Sequence, residues 1–178
     1  VNRSISVCMM AAMAIGCGQR PAKVEPVAEK WTPATEVAQV GDVRVKIESV
    51  RLGQAPLISI VSGKTELTED THLQIEISVE NTSDTRKIDY QPWDNGGEVP
   101  RVADEFDNRY KPIEFGSTQP VGHKHESSAL YPGKSLTDVF VFEEPVDQAK
   151  TLRLTIPARL FGGDGYVRFE IPRSMAKN

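Results

Sequence analysis

Two imidazoles at i, i+2 in His123-Lys124-His125 are the first residues whose types and spacing could do chemistry. In an extended segment both would fall on one face. With Glu126, Asp104 or Asp107 brought near in space, they could hold a divalent metal. Spacing fixes no third ligand, and the flanking Gln-Pro-Val-Gly and Glu-Ser-Ser have loop composition. Solvated loop histidines are the plainer expectation, with a metal site as the alternative. A second constellation is Tyr90-Gln-Pro-Trp93-Asp94-Asn95-Gly-Gly, where aromatic rings stand beside a carboxylate and an amide. Tyr90, Trp93, Asp94 and Asn95 could stack on and hydrogen-bond a sugar or peptide. The rival reading, which we favour at this level, makes Tyr90 and Trp93 a plug at one end of a sandwich and the remainder a turn.

The third candidate is Cys17. It closes an uncharged, mostly apolar run, residues 5–16, which follows Arg3. About 12 residues are too few to span a bilayer as a helix, which takes roughly 20. They suit a secretory signal instead, with its positive start, apolar centre and small residues before cleavage. Ala14-Ile15-Gly16-Cys17 resembles the bacterial lipobox, in which the cysteine thiolate forms a thioether to diacylglycerol and becomes the new N-terminus. Buried acyl chains at ~0.8 kcal/mol per CH₂ would make such anchoring effectively permanent. Gly18 stands where aspartate would signal inner-membrane retention, so the outer membrane is the expected destination.

Catalysis finds little support. There is no Gly-x-Ser-x-Gly elbow, and a lipidated Cys17 is no nucleophile. Glu143 and Glu144 are adjacent, so a strand would point them to opposite sides. Residues 104–108 lack the ligand register of a calcium loop; a hairpin turn explains them. Gly162-Gly163-Asp164-Gly165 is followed by no Lys-Ser/Thr pair and so is no phosphate loop. Asn81-Thr-Ser83 matches a glycosylation sequon, read here as coincidence. No cofactor is expected, and a carbohydrate-active enzyme, whose carboxylates would meet only in three dimensions, is the least favoured alternative.

These residues must be positioned by a chain of 178 residues with 21 Lys+Arg, 25 Asp+Glu and two cysteines. The length suits one domain with a tail. A net charge of -4 supplies no basic excess for nucleic acid. Two cysteines make neither a disulfide scaffold nor a four-cysteine zinc site. Residues 17–38 carry Pro21, Pro26 and Pro33 without a sustained apolar period, and read as a flexible linker.

From Val40 the period becomes 2. Val43, Val45 and Ile47 alternate with polar residues, and the phase then shifts to Val50 and Leu52, implying a bulge near Glu48 and Ser49. Leu73, Ile75, Ile77 and Val79 make the clearest half-buried strand. Further short strands are expected over 57–61, 86–90, 101–103, 109–113, 136–142, 152–156 and 167–171, and one helical turn near 145–150. Eight or nine short strands with frequent turns argue for an antiparallel β-sandwich. The expected organisation is a signal peptide over 1–16, a linker over 17–38, the domain over 39–174 and a tail over 175–178.

In order along the chain come GDVRVKIESV (41–50), the 73–84 strand and turn, the 104–110 hairpin, LYPGKS (130–135), VFVFEEP (139–145) and Leu152-Arg-Leu154. Together they resemble an immunoglobulin-like (telokin-like) domain of unknown function found in bacterial secreted lipoproteins. The resemblance covers about residues 39–173. It implies an immunoglobulin-like sandwich outside the cytoplasm and carries no shared catalytic residues. The reading at this level is therefore a membrane-anchored envelope lipoprotein facing the periplasm or exterior. Its domain would bind or scaffold an envelope protein or a polysaccharide.

Overall fold

Apolar residues at alternate positions form two long strands, β3 (Val43–Ser59) and β4 (Thr65–Asn81), which pair antiparallel along almost their whole length. In this computed structural model, which describes residues 30–93 and 98–177, they form the spine of one of two facing sheets. The others are β1 (Thr32–Pro33), β2 (Ala38–Val40), β5 (Ile88–Tyr90), β6 (Arg101–Asp104), β7 (Arg109–Tyr110), β8 (Thr118–Pro120), β9 (Ser128–Leu130), β10 (Ser135–Phe142), β11 (Thr151–Pro157) and β12 (Tyr166–Pro172). The first sheet runs β10-β4-β3-β2, with β8 also on β3; the second runs β1-β12-β11-β6-β7. A two-stranded ribbon, β5-β9, stands apart from both. All pairs are antiparallel except β1 with β12. The fold is an all-β sandwich.

Directly paired residues share a face of a pleated sheet. One face of the first sheet therefore presents Val45, Ile47, Val50, Leu73, Ile75, Ile77, Phe140 and Phe142 inward. Leu152, Leu154, Ile156, Val167, Phe169 and Ile171 meet them from the second sheet in one buried cluster. Each such side chain contributes about 1.5–3 kcal/mol by leaving water. The expected bulge lies between Ile47 and Ser49. Without that extra residue, Val50 and Leu52 would turn outward with the rest of β3.

The structure departs from the sequence reading in four places. Residues 53–56 do not break the strand; β3 runs through them by a second register shift between Gln54 and Pro56. Pro56 offers no N–H, but its carbonyl accepts from Val121 N at 2.9 Å, and Ala55 N donates to Thr68 Oγ1 at 2.9 Å. The linker boundary at 38/39 falls inside the fold. β1 pairs with β12, Ala34 is buried, and Ala34 N donates to Glu170 O at 2.9 Å. Edge pairing and one small apolar side chain suffice to seat a proline-bearing segment. The tail is also tied down: Leu52 N donates to Lys177 O at 3.0 Å and Lys177 N to Val50 O at 3.2 Å. Residues 145–150 form a turn instead of a helix, while 3₁₀ turns occupy Ala158–Phe161 and Arg173–Met175. The signal segment, Cys17 and the linker up to residue 29 lie outside the described residues.

Candidate functional site

Strand β10 places one carboxylate where its neighbours are apolar. Positions 136, 138, 140 and 142 share the inward face, opposite Val79, Ile77, Ile75 and Leu73. Asp138 is therefore buried completely. Its Oδ1 accepts from Val139 N at 2.7 Å and from Lys124 N at 2.8 Å, and lies 3.0 Å from His123 Nδ1. Its Oδ2 accepts from the Tyr90 hydroxyl. Beside a carboxylate, Nδ1 is the protonated nitrogen of His123. One carboxylate thus gathers β5, β10 and the 121–125 loop, and every donor around it is matched.

This overturns the expectation of solvated loop histidines for His123. The ring is buried, bonded to Asp138, and lies 5.5 Å from the Trp93 ring. His125 remains exposed, its Nε2 3.9 Å from Glu126 Oε1. Of the carboxylates that could complete a metal site, Glu126 lies beside His125, but Asp104 and Asp107 border a separate groove. Asp104 accepts from Tyr110 Oη at 2.6 Å, Asn108 Nδ2 at 2.8 Å and the 106 and 108 amides, closing the β6-β7 hairpin as expected. Burial pushes the Asp104 carboxyl up, but those hydrogen bonds outweigh it and hold it below the ordinary carboxylate value. Among the described residues no cluster of three or more His, Cys, Asp or Glu could hold a metal ion.

Tyr90 and Trp93 are buried, 1% and 4% exposed, as the plug reading requires. Asp94 and Asn95 lie outside the described residues. Trp93 is more than a plug, however. It lines a cleft of about 230 Å³ with Ile60, Phe115, Gln119, His123 and His125. Phe115 folds over the outer face of β10, against Ala55, Val139 and Val141, and also touches the His72 ring edge-on at 5.8 Å. Gly122 makes the chain's return possible: it has φ +91, and a Cβ there would stand 3.0 Å from Val139 Cγ2.

Two residues lining this cleft each carry a buried polar atom without a partner among the described residues. They are the Trp93 indole nitrogen, a donor, and Gln119 Oε1, an acceptor. Leaving such a group unmatched costs about 1–3 kcal/mol. Spacing in the sequence named Trp93, His123 and His125. It missed Asp138, Gln119 and Phe115. Asp138 could have been found, since it stands in the inward phase of the apolar strand 136–142. Gln119 and Phe115 carry no such signal.

Asn81 proves structural as well. Its side chain is buried, donating to Arg86 O at 2.7 Å and Leu130 O at 2.8 Å and accepting from Ser83 N at 2.9 Å. The sequon's amide is thus spent on holding the β5-β9 ribbon to the end of β4.

No family model matches the chain, and no curated protein matches it significantly. Among solved structures it is similar to the yjhA protein of Bacillus subtilis, at 18% identity and a TM-score of 0.55, over 78% of this chain and 98% of that one. A candidate lipoprotein of the same organism, ycdA, is 19% identical with a TM-score of 0.49, over 79% of this chain but 39% of its own. A β-sandwich protein from Clostridium difficile 630, described as uncharacterized, is 13% identical with a TM-score of 0.46, over 83% and 99%. At these identities the likeness concerns the fold alone.

Proposed function

We infer that the chain is a lipid-anchored protein of the cell envelope whose β-sandwich binds a polysaccharide in the cleft beside Trp93 and His125. The observation that carries the reading is that two residues lining one cleft, Trp93 and Gln119, each hold a buried polar atom, Nε1 and Oε1, without a partner among the described residues. A sugar hydroxyl both donates and accepts, so a single chemical group type answers both atoms. Phe115, Ile60 and the Trp93 ring supply the apolar surface that the faces of a sugar ring require. At about 230 Å³ the cleft is smaller than the roughly 300–1,000 Å³ of drug-sized sites. It suits one ring of a longer chain better than a loop of a folded partner.

The anchor would be Cys17 and the exposed side the periplasm or exterior, with the outer membrane as destination. Among the described residues no helix is long and apolar enough to cross a membrane; on this reading the lipidated cysteine makes the attachment. The anchor raises local concentration at the membrane, and the domain presents its cleft to the polymer around it.

The test is calorimetric titration of the full chain with oligosaccharides released from bacterial envelopes. Trp93→Phe keeps an aromatic ring but removes the N–H along with the five-membered half of the indole; it should weaken binding at least about fivefold, the value of one neutral hydrogen bond. Unchanged affinity in that variant, or no oligosaccharide bound by the wild type, would reject this cleft as the site.

A further inference from the structure

The outer face of the second sheet is cationic although the chain as a whole carries -4. The register explains it. Arg109, Ala103, Arg153 and Glu170 form one row across β7, β6, β11 and β12; Arg101, Thr155 and Arg168 form the next. Their neighbours along each strand, Val102, Tyr110, Leu152, Leu154, Val167 and Phe169, are buried in the core. All four arginines therefore project from the same side.

Carboxylates answer only part of this charge. Glu170 lies 3.7 Å from Arg153 Nε, and Glu98 lies 3.0 Å from Arg101 Nη2. Arg109 and Lys111 are exposed, and no carboxylate among the described residues comes within 4.0 Å of either charged group. Trp31 lies over this face, with the Arg153 guanidinium 5.5 Å from its ring centre. Beside it opens a groove of about 550 Å³ lined by Trp31, Val99, Pro112, Arg101, Arg109 and Lys111. Two carboxylates, Asp104 and Asp107, also border the groove. The lining is thus a cationic row next to an aromatic and two aliphatic side chains.

We propose that this groove is a second, anionic subsite that takes a carboxylate-bearing sugar of an acidic polysaccharide. The guanidinium fork of Arg109 accepts a carboxylate in bidentate fashion, and Lys111 adds a second positive charge. Trp31, Val99 and Pro112 offer the apolar surface that a pyranose ring covers and an inorganic anion does not. The inference rests on reading the domain as a polysaccharide binder. One chain segment joins the two places, since residues 111–112 line the groove and residues 113–116 line the Trp93 cleft.

The experiment uses the full chain and polygalacturonate, with dextran as the neutral polymer and phosphatidylglycerol vesicles as the anionic surface. Wild type should bind polygalacturonate in preference to dextran and to vesicles. Binding should weaken between about 50 mM and 500 mM salt, as the screening length shortens. The R109Q/K111Q variant should bind about tenfold or more weakly, as expected when hydrogen bonds to charged groups are lost. R44Q, which removes an exposed arginine from the outer face of the other sheet, should bind like wild type. Both variants change exposed side chains, and matching thermal unfolding curves would show that each is folded. Unchanged binding in R109Q/K111Q, no binding to polygalacturonate, or preference for the vesicles would each overturn the proposal. Trp93→Phe distinguishes the two failures. If it loses affinity for neutral oligosaccharides while R109Q/K111Q leaves polygalacturonate binding intact, the acidic subsite fails and the Trp93 cleft stands.

Discussion

Asp138 shows how much one residue can organise. A carboxylate at an inward position of an apolar strand would be intolerable alone, since burying an unpaired charge costs several kcal/mol. Here it is met by the Tyr90 hydroxyl, the His123 ring and the backbone N–H groups of Lys124 and Val139. Removing it would strand those donors inside the protein. Asp138→Ala should therefore destabilise the fold by about 3–5 kcal/mol, measured by urea denaturation. It should also disturb the Trp93 environment through the His123 contact, which a change in tryptophan emission would report. A loss under 1 kcal/mol would mean that the network contributes little to holding the cleft. The phase of the 136–142 alternation made the position of Asp138 legible in advance. Its partners were not, because they come from segments 15 and 48 residues away.

At the scale of the element, the decisive feature is how the segment after β7 returns along the edge of β10. Ile113 N donates to Val141 O at 2.9 Å, and Glu143 N to Lys111 O at 3.0 Å. This covers an edge strand that would otherwise expose its hydrogen-bonding groups. The chain then swings out to β8, which adds to β3 from Leu57 to Ser59, and comes back at Gly122. A methyl group at Gly122 would crowd Val139 Cγ2 at 3.0 Å and force that side chain to give way, and the glycine's positive φ is unfavourable for any L side chain. Gly122→Ala should cost about 1–3 kcal/mol and weaken oligosaccharide binding, because His123 follows it directly. Thermal unfolding alongside titration would check both effects. A variant as stable as wild type would show that the loop has slack that the packing does not suggest. The bulge at residues 47–49 was readable from the phase change along β3. The passage of β3 through Pro56 was not, since proline and glycine ordinarily mark a break. Only pairing with β4 and β8 keeps that stretch extended.

For the whole molecule, the two faces of the sandwich differ in character. The outer face of the second sheet carries the arginine rows. The outer face of the first is partly covered by Phe115 and elsewhere mixes both signs, with Lys46 beside Glu48 at 2.8 Å and Arg44 beside Glu80 at 3.7 Å. If Cys17 carries the lipid, these faces are presented on a tether whose usable length is shorter than the sequence implied. The first strand begins at Thr32 and Ala34 is already in the core. Cys17→Ser should shift the protein from the membrane fraction to the soluble envelope fraction, leaving its unfolding temperature unchanged. Retention in the membrane fraction would rule out the lipid as the anchor.

The sequence by itself determined the features that depend on neighbours along the chain. These are the period-2 alternation that makes the strands, the phase change that marks a bulge, the hairpin closed by Asp104, and the apolar run that ends in Cys17 as a candidate anchor. Tertiary structure alone decided that His123 is buried on Asp138, that Trp93 and Gln119 share a cleft, that residues 32–34 belong to the sheet, and that four arginines line up on one face. The reason is physical. Backbone period and turn chemistry act over a few residues, whereas burial, ion pairing and cleft formation depend on register between strands that lie far apart in the chain.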